Sequence, residues 1–289
     1  EQANLLTKSY GEVAKKVPGD LAAVGETLGE INTRFGFTGS ELEDCTEKFI
    51  KFADIAGVDA KTSVQTVSKA MAGAGVNAED YADFLDKIAI AAQASGISAD
   101  KLTENLTRYG AQMRAAGYDT SDTIAMLASW EKAGVNTETA ITGIRKALAN
   151  FGKDGKNAKE ELSALIDEIK SAPDDTAAAQ IALNAFGNKA GSELADDIRS
   201  GRFEFEAFTE TIANSAGAVE NTFNETQSGV DKIKLAAQSL RVTVGEAAGK
   251  LLDTIAPNLE EVISLFGAVV SGEEGAAEKL GEGVGNLLT

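Results

Sequence analysis

A four-residue pattern recurs five times between residues 57 and 137, and it constrains the fold more than any other feature of this chain. Each copy reads Gly, an apolar residue, Asp, Asn or Ser, and then Ala or Thr; the copies begin at Gly57, Gly75, Gly96, Gly117 and Gly134. Glycine adopts the left-handed conformation that ends a helix. The side-chain oxygen two positions later caps the next helix, and the predicted capping residues are Asp59, Asn77, Ser98, Asp119 and Asn136. The pattern therefore predicts short helices joined by tight turns.

Apolar periodicity supports an all-α fold. Apolar residues make up 43% of the 289 residues and recur at spacings of three and four, without sustained alternation. Two further helix starts are predicted from Ser40 with Glu43 and from Asn157 with Glu160, because each pair has the spacing of a capping box. We expect an array of short antiparallel helices with tight glycine turns, followed by one longer helix.

The amino-acid composition limits which kinds of catalytic, metal and nucleic-acid site the chain can form. The chain has no His and a single Cys, Cys45, so we expect no metal, no cofactor and no catalytic residue of the Ser-His or Cys-His type. With 27 basic and 45 acidic residues, the net charge is −18, which argues against a nucleic-acid site. Solubility explains this charge; an acidic face for a basic partner, or for a lumen through which DNA slides, is the alternative.

Three side chains have both a structural and a chemical interpretation. Cys45 lies on an apolar helical stripe and is predicted to be a core residue, with a reactive thiol as the alternative. Tyr109 and Trp130 are also predicted to be core residues, with a ligand platform as the alternative. An enzyme using paired carboxylates would need one of them in an apolar pocket, whereas the acidic residues fall mostly on polar helix faces.

A long apolar stripe follows residue 217. It has nearly heptad spacing and ends before Pro257; its members are Val230, Ile233, Ala237, Leu240, Val244, Ala248, Leu251 and Ile255. A stripe of this length needs a partner helix, either residues 160–215 of the same chain or a second copy. The nearest approach to a membrane span is the apolar stretch at residues 262–270, within the segment 259–270, and it is too short to cross a membrane. A membrane-active helical protein that assists passage across the cell envelope is nevertheless an alternative function, which dye release from liposomes would test.

Several blocks of the chain resemble, in the same order, the core region of phage tail tape measure proteins. These blocks are residues 27–42, 49–55, 91–98, 131–136 and 186–191. On this basis we divide the chain into a helical lead-in at 1–26, a tape-measure core module at 27–216, and a long helix with a Gly-rich tail at 217–289. Because the chain begins at Glu1, we expect it to be a fragment of a longer protein.

The resemblance implies a structural and non-enzymatic role. Tape measure proteins occupy the tail tube lumen, set tail length during assembly in the host cytoplasm, and leave before the DNA during ejection. The implied partners are the tail tube protein, tail assembly chaperones, distal tail or baseplate hub proteins, and further copies of the same chain. The glycine turns depart from a simple extended ruler, since they interrupt the helix about every twenty residues.

Overall fold

The computed structural model is built from helices. The residues that it describes are 2–18, 20–153 and 157–247, with the single positions 264, 265, 268, 275 and 279. Within them, fourteen α-helices and one 3-10 turn, Ala78–Asp80, are the regular elements. The α-helices are α1 (Gln2–Ala14), α2 (Leu21–Phe35), α3 (Gly39–Ala56), α4 (Ala60–Ala74), α5 (Tyr81–Ser95), α6 (Ala99–Ala115), α7 (Thr120–Ala133), α8 (Thr137–Lys153), α9 (Ala158–Ser171), α10 (Asp175–Phe186), α11 (Gly191–Arg199), α12 (Phe205–Ala213), α13 (Ala218–Thr226) and α14 (Gly229–Ala247). The predicted all-α fold is confirmed.

The chain divides into two compact units. The split unit combines Glu1–Gln65 with Val219–Thr289, and the central unit is Thr66–Ala218. The first boundary falls inside α4, and the second falls after the first residue of α13. The sequence-based division at residues 26 and 216 has different bounds and stays a prediction about segments with separate roles.

The split unit has an aromatic and aliphatic core between α1, α2 and α3. Phe49 and Cys45 of α3 are fully buried, as is Ile31 of α2. Phe35 stacks on Phe37 with ring centroids 5.5 Å apart and lies 5.9 Å from Phe49. Burial of these side chains is the main stabilisation of the three-helix packing, at about 1.5–3 kcal/mol for each large apolar side chain.

A partly buried ion pair joins α3 to α13 in the split unit. The Nζ atom of Lys51 lies 2.8 Å from Oε1 of Glu47 and 2.7 Å from Oε2 of Glu220. The same ammonium lies 5.4 Å from the ring centroid of Phe223. Burial alone would lower the pKa of Lys51, but the hydrogen bonds to Glu220 and Glu47 raise it. The side chain therefore stays charged and holds residues far apart in sequence together.

The central unit is built around α7. All nine residues from Asp122 to Trp130 are buried, because α7 packs against α5, α6, α8 and α12. Sequence periodicity indicates only one apolar face, but polar positions are buried too, and each has a partner. Asp122 pairs with Lys159, and Ser129 accepts a hydrogen bond from the backbone N–H of Glu204 at 2.8 Å.

Small residues allow close helix packing at the other end of the central unit. Gly191 at the start of α11 faces the α10 backbone, and a Cβ there would lie 2.6 Å from the Cα of Leu183. Gly143 of α8 similarly faces the Cβ atoms of Phe186 and Ala190, at 3.0 and 2.6 Å from such a Cβ. These helices therefore approach one another more closely than any larger residue at Gly143 or Gly191 would allow.

One of the two predicted capping boxes is wrong. Helix α3 starts at Gly39 after Thr38 as the N-cap residue, without a side-chain capping hydrogen bond. Glu43 instead accepts a hydrogen bond from Oγ of Ser9 at 2.8 Å, so a tertiary contact replaces the local one. The other box is confirmed at its start, since Oδ1 of Asn157 accepts from the backbone N–H groups of Lys159 and Glu160.

Candidate functional site

The five glycine turns end their helices in left-handed geometry. The φ angles are 68°, 73°, 76°, 89° and 79° at Gly57, Gly75, Gly96, Gly117 and Gly134. After four of these glycines, the next backbone N–H donates to a carbonyl five residues back, as Val135 does to Trp130 at 2.9 Å. This is the Schellman arrangement. The turn at Gly96 is simpler, with the Gly96 N–H donating to Ala92 at 2.9 Å.

Four of the five predicted capping side chains accept a backbone hydrogen bond. Asp59, Asp119 and Asn136 accept from the N–H three residues later, at 2.8, 2.8 and 2.9 Å. Ser98 accepts in the same way from Lys101 at 3.3 Å. Asn77 differs, because a 3-10 turn follows it and its side chain makes no capping bond.

The turn at Gly75 has a partner that sequence reasoning missed. Nη1 of Arg114 donates to the carbonyl oxygen of Gly73 at 2.9 Å, one of the acceptors that a helix end leaves without an internal partner. A Cβ on Gly75 would collide with the Arg114 guanidinium. An Arg in the last turn of α6 is common at helix ends, and nothing in its local sequence points to α4.

Gly96 offers a clean test of the turn geometry, because a Cβ there would meet no atom within 4 Å. Any cost of substitution then comes from its φ of 76° alone. We expect Gly96→Val to lower the free energy of unfolding by about 1–2 kcal/mol, and Gly96→Asn to cost less. Urea unfolding of both variants measures this. Equal stabilities would contradict the left-handed cap.

The long apolar stripe lies partly on α14. Ile233 and Ala237 are half-buried, and Leu240 is 51% exposed. Leu240 and Leu5, in the same unit, are the large apolar side chains found exposed in the described part of the chain. Val230 and Val244 also belong to α14, while Ala248, Leu251 and Ile255 lie outside the described residues. The stripe, which we call the seam, stays a prediction as an oligomer contact.

Helix α14 is held on α1 through a residue on another face. Nε2 of Gln238 donates to the carbonyl oxygens of Ala14 and Val17, both at 2.9 Å. At 3.6 residues per turn, Leu240 points about 200° away from Gln238 around the helix. Leu240 therefore lies on the side of α14 roughly opposite to the attachment on α1, whereas Ala237 lies only about 100° from Gln238.

The side chains with a possible chemical role are core residues. Cys45 is fully buried, and burial raises the pKa of its thiol, so the core interpretation is confirmed. Tyr109 and Trp130 are 7% and 1% exposed, which likewise confirms them as core residues. In the described ranges, no three His, Cys, Asp or Glu side chains gather closely enough to hold a metal ion.

One buried carboxylate was not anticipated from the sequence. The side chain of Asp197 in α11 is 0% exposed, and its nearest cation, Nε of Arg202, is 3.5 Å away. Neither carboxylate oxygen has a hydrogen-bond partner among the described atoms. Burial raises the pKa of Asp197 to about 6, with Arg202 opposing and Asp196 and Glu193 adding to the shift. Because no part of this side chain reaches the surface, it is not accessible to a substrate.

None of the described helices has the length and apolar character that crossing a membrane would require.

Comparison with known proteins identifies the family. A family model described as phage-related minor tail protein matches residues 7–253. Neither a curated protein nor a solved structure matches the chain. The family match spans α2 through α14 and most of α1, so it covers both units. The chain therefore belongs to the phage-related minor tail protein family.

Proposed function

We propose that this chain is a segment of a tape measure protein that lies in the lumen of the tail tube and contributes to its length. Membership of the minor tail family gives it a structural role in the phage tail. The finer assignment is supported by the ordered blocks of tape-measure resemblance between residues 27 and 191. The family match over residues 7–253 is the observation that carries the proposal.

The two kinds of structure in the chain would contribute differently to a ruler. The central unit folds its helices back on one another, so added residues there increase its bulk rather than its span. Helix α14 is a single 19-residue rod, about 28 Å long at 1.5 Å per residue. In the proposed function, α14 is the part that contributes to length, while the central unit is a compact module.

Insertion into the rod tests this function. We expect six additional heptads after Ala247, roughly 42 residues, to lengthen the tail of the phage that encodes this chain by about 60 Å. Mean tail length is measured by electron microscopy. The control is an insertion of equal length at the exposed turn of Gly201 in the central unit, which should leave tail length unchanged. Tails of unchanged length with the α14 insertion would contradict a ruler role for this segment.

The seam supplies the contact between copies that this function requires. In roughly 0.5 M salt, where contacts between surface charges are screened, we expect Leu240→Asp combined with Val244→Asp to abolish self-association, because two carboxylates would be buried in an apolar helix contact. Analytical ultracentrifugation measures the association, and thermal melting measures the fold. Ser239→Asp with Thr243→Asp is the control, since it adds the same charges at the same spacing off the seam. Loss of fold stability without loss of association would mean that the seam is covered within one chain.

A further inference from the structure

The central unit gathers basic side chains on the surface formed by α4, α6 and α8. Lys69 and Arg108 line a cleft between α4 and α6, together with one acidic residue, Glu104. Arg145 and Lys146 line a second cleft between α6 and α8, which we call the cationic groove. Its lining residues are Gln112, Ala115, Ala116, Thr142, Arg145, Lys146, Leu148 and Ala149. No acidic residue lines this groove, in a chain of net charge −18.

The cations on this surface mostly lack carboxylate partners. Arg114 and Lys146 donate to backbone carbonyls, at 2.9 and 3.3 Å, and Arg108 donates to the hydroxyl of its neighbour Tyr109 at 3.4 Å. Neither Lys69 nor Arg145 pairs with a carboxylate in the described ranges. Lys101 of α6 does form such a pair, with Oε2 of Glu131 at 2.9 Å. Elsewhere in the central unit, the cations that pair with carboxylates are Lys87, Lys132, Lys159, Lys170, Arg199 and Arg202. Within this surface, the cationic groove is therefore the part where positive charge has no acidic side chain in its lining.

The small side chains that line the cationic groove would allow another helix to pack closely there. The two walls of the groove present small side chains, which are Ala115 at the end of α6, Ala116 directly after it, and Ala149 from α8. Ala115 and Ala149 are exposed, so nothing in the described unit covers them. Small residues on facing helices let the axes approach to the 8–10 Å typical of packed helices. A helix entering this groove would therefore have to carry both a small-residue face and negative charge.

Helix α9 carries such a face. Ser163, Ala164, Asp167 and Glu168 are all exposed, and positions three and four apart lie on one side of a helix. Among the described residues, neither Asp167 nor Glu168 forms an ion pair. Two small side chains thus sit beside two uncompensated carboxylates, which is the chemical complement of the groove.

We propose that the cationic groove binds the exposed face of α9 from a second copy of this chain. Ala164 packs against the groove alanines, and Asp167 and Glu168 face Arg145 and Lys146. Because the groove and the α9 face are different surfaces, the contact is head-to-tail and repeats from copy to copy. Duplex DNA fits less well, since Glu104 and Glu138 lie close to Arg108 on the same surface and would oppose a dense row of phosphates.

Charge reversal in the full chain tests this contact. The background carries Leu240→Asp and Val244→Asp, so that the seam does not contribute. We expect the background protein to self-associate at low salt and to become monomeric at roughly 0.5 M salt, where charges are screened over a few Å. Arg145→Glu with Lys146→Glu should weaken association at least about tenfold, and so should Asp167→Lys with Glu168→Lys. Mixing the two reversed proteins should restore association in sedimentation velocity, because the two proteins can then alternate along a head-to-tail assembly.

Disulfide trapping supplies an independent geometric readout. Ala149→Cys and Ala164→Cys are made in separate chains, and the buried Cys45 does not react. Oxidation of the mixture should give the mixed dimer, whereas Ala149→Cys with the exposed control Ala213→Cys should not. A monomeric background protein at low salt, or equal trapping at Ala213, overturns the proposal. Retention of duplex DNA that is lost with Arg145→Glu and Lys146→Glu also overturns it, in favour of a phosphate site.

Discussion

Gly191→Ala is expected to lower the free energy of unfolding of the central unit by about 3 kcal/mol or more. The new Cβ would lie 2.6 Å from the Cα and 2.7 Å from the backbone nitrogen of Leu183. Backbone atoms cannot move aside as a flexible side chain does, so α10 and α11 would have to separate. Urea unfolding followed by circular dichroism measures the loss.

Gly152→Ala is the matched control for this substitution. Gly152 also lies in a helix of the central unit, is exposed, and would place its Cβ within 4 Å of no atom. Its replacement should be neutral or stabilising by up to about 1 kcal/mol, because alanine favours a helix more than glycine does. If Gly191→Ala were as well tolerated as Gly152→Ala, the close approach of α10 and α11 would be wrong.

Asp197→Asn is expected to stabilise the central unit at pH 7 by up to about 3 kcal/mol. The pKa of Asp197 is raised from 3.8 to about 6, and each pKa unit corresponds to about 1.4 kcal/mol between the two protonation states. At neutral pH the native chain therefore holds an ionised carboxylate without a hydrogen-bond partner among the described atoms. Asparagine has the shape of the acid without its charge.

The raised pKa of Asp197 also fixes the direction in which stability changes with pH. Between pH 4 and 6 the folded chain binds a proton at Asp197 that the unfolded chain does not, so acidification through this window favours the folded state. The stability difference between Asp197→Asn and the parent should therefore be largest above pH 6 and should vanish near pH 4. Chemical unfolding at several pH values measures it.

Asp196→Asn provides the control for the buried position. Asp196 is 73% exposed and pairs with Arg202 at 2.6 Å. Loss of an exposed ion pair costs at most about 1 kcal/mol. Asp196→Asn should therefore destabilise the central unit slightly, whereas Asp197→Asn should stabilise it. A destabilising Asp197→Asn would show that the pairing with Arg202 outweighs the cost of burying the charge.

The turns were predictable because their chemistry is local. A glycine with a capping residue two positions later is readable within four residues, and the structure gives Gly57, Gly117 and Gly134 left-handed φ angles with Schellman hydrogen bonds. The all-α class follows from the same local signals. Asn77 shows the limit of the pattern, since a 3-10 turn takes the place of a side-chain cap.

Contacts between distant residues were not predictable in this way. Gln238 reaches Ala14 across 224 residues, and Lys51 reaches Glu220 across 169. Neither partner carries a signal of the other in its own neighbourhood. The same holds for Asp197, whose charged neighbours in the sequence, Glu193, Asp196 and Arg199, are typical of a solvated helix face. Its burial is decided by the packing of α11 against α9 and α10.

Because the split unit is built from both ends of the described chain, it determines where the protein would yield under tension. Because Glu1–Gln65 and Val219–Thr289 belong to one unit, a force applied between α1 and α14 is borne within that unit. The load passes through α13, where Val219 and Phe223 are buried and Glu220 is tied to Lys51. The central unit, inserted between the two segments, experiences no tension until that connection breaks. A tail protein drawn lengthwise would thus yield first at α14 and α13, and its helical array would unravel last.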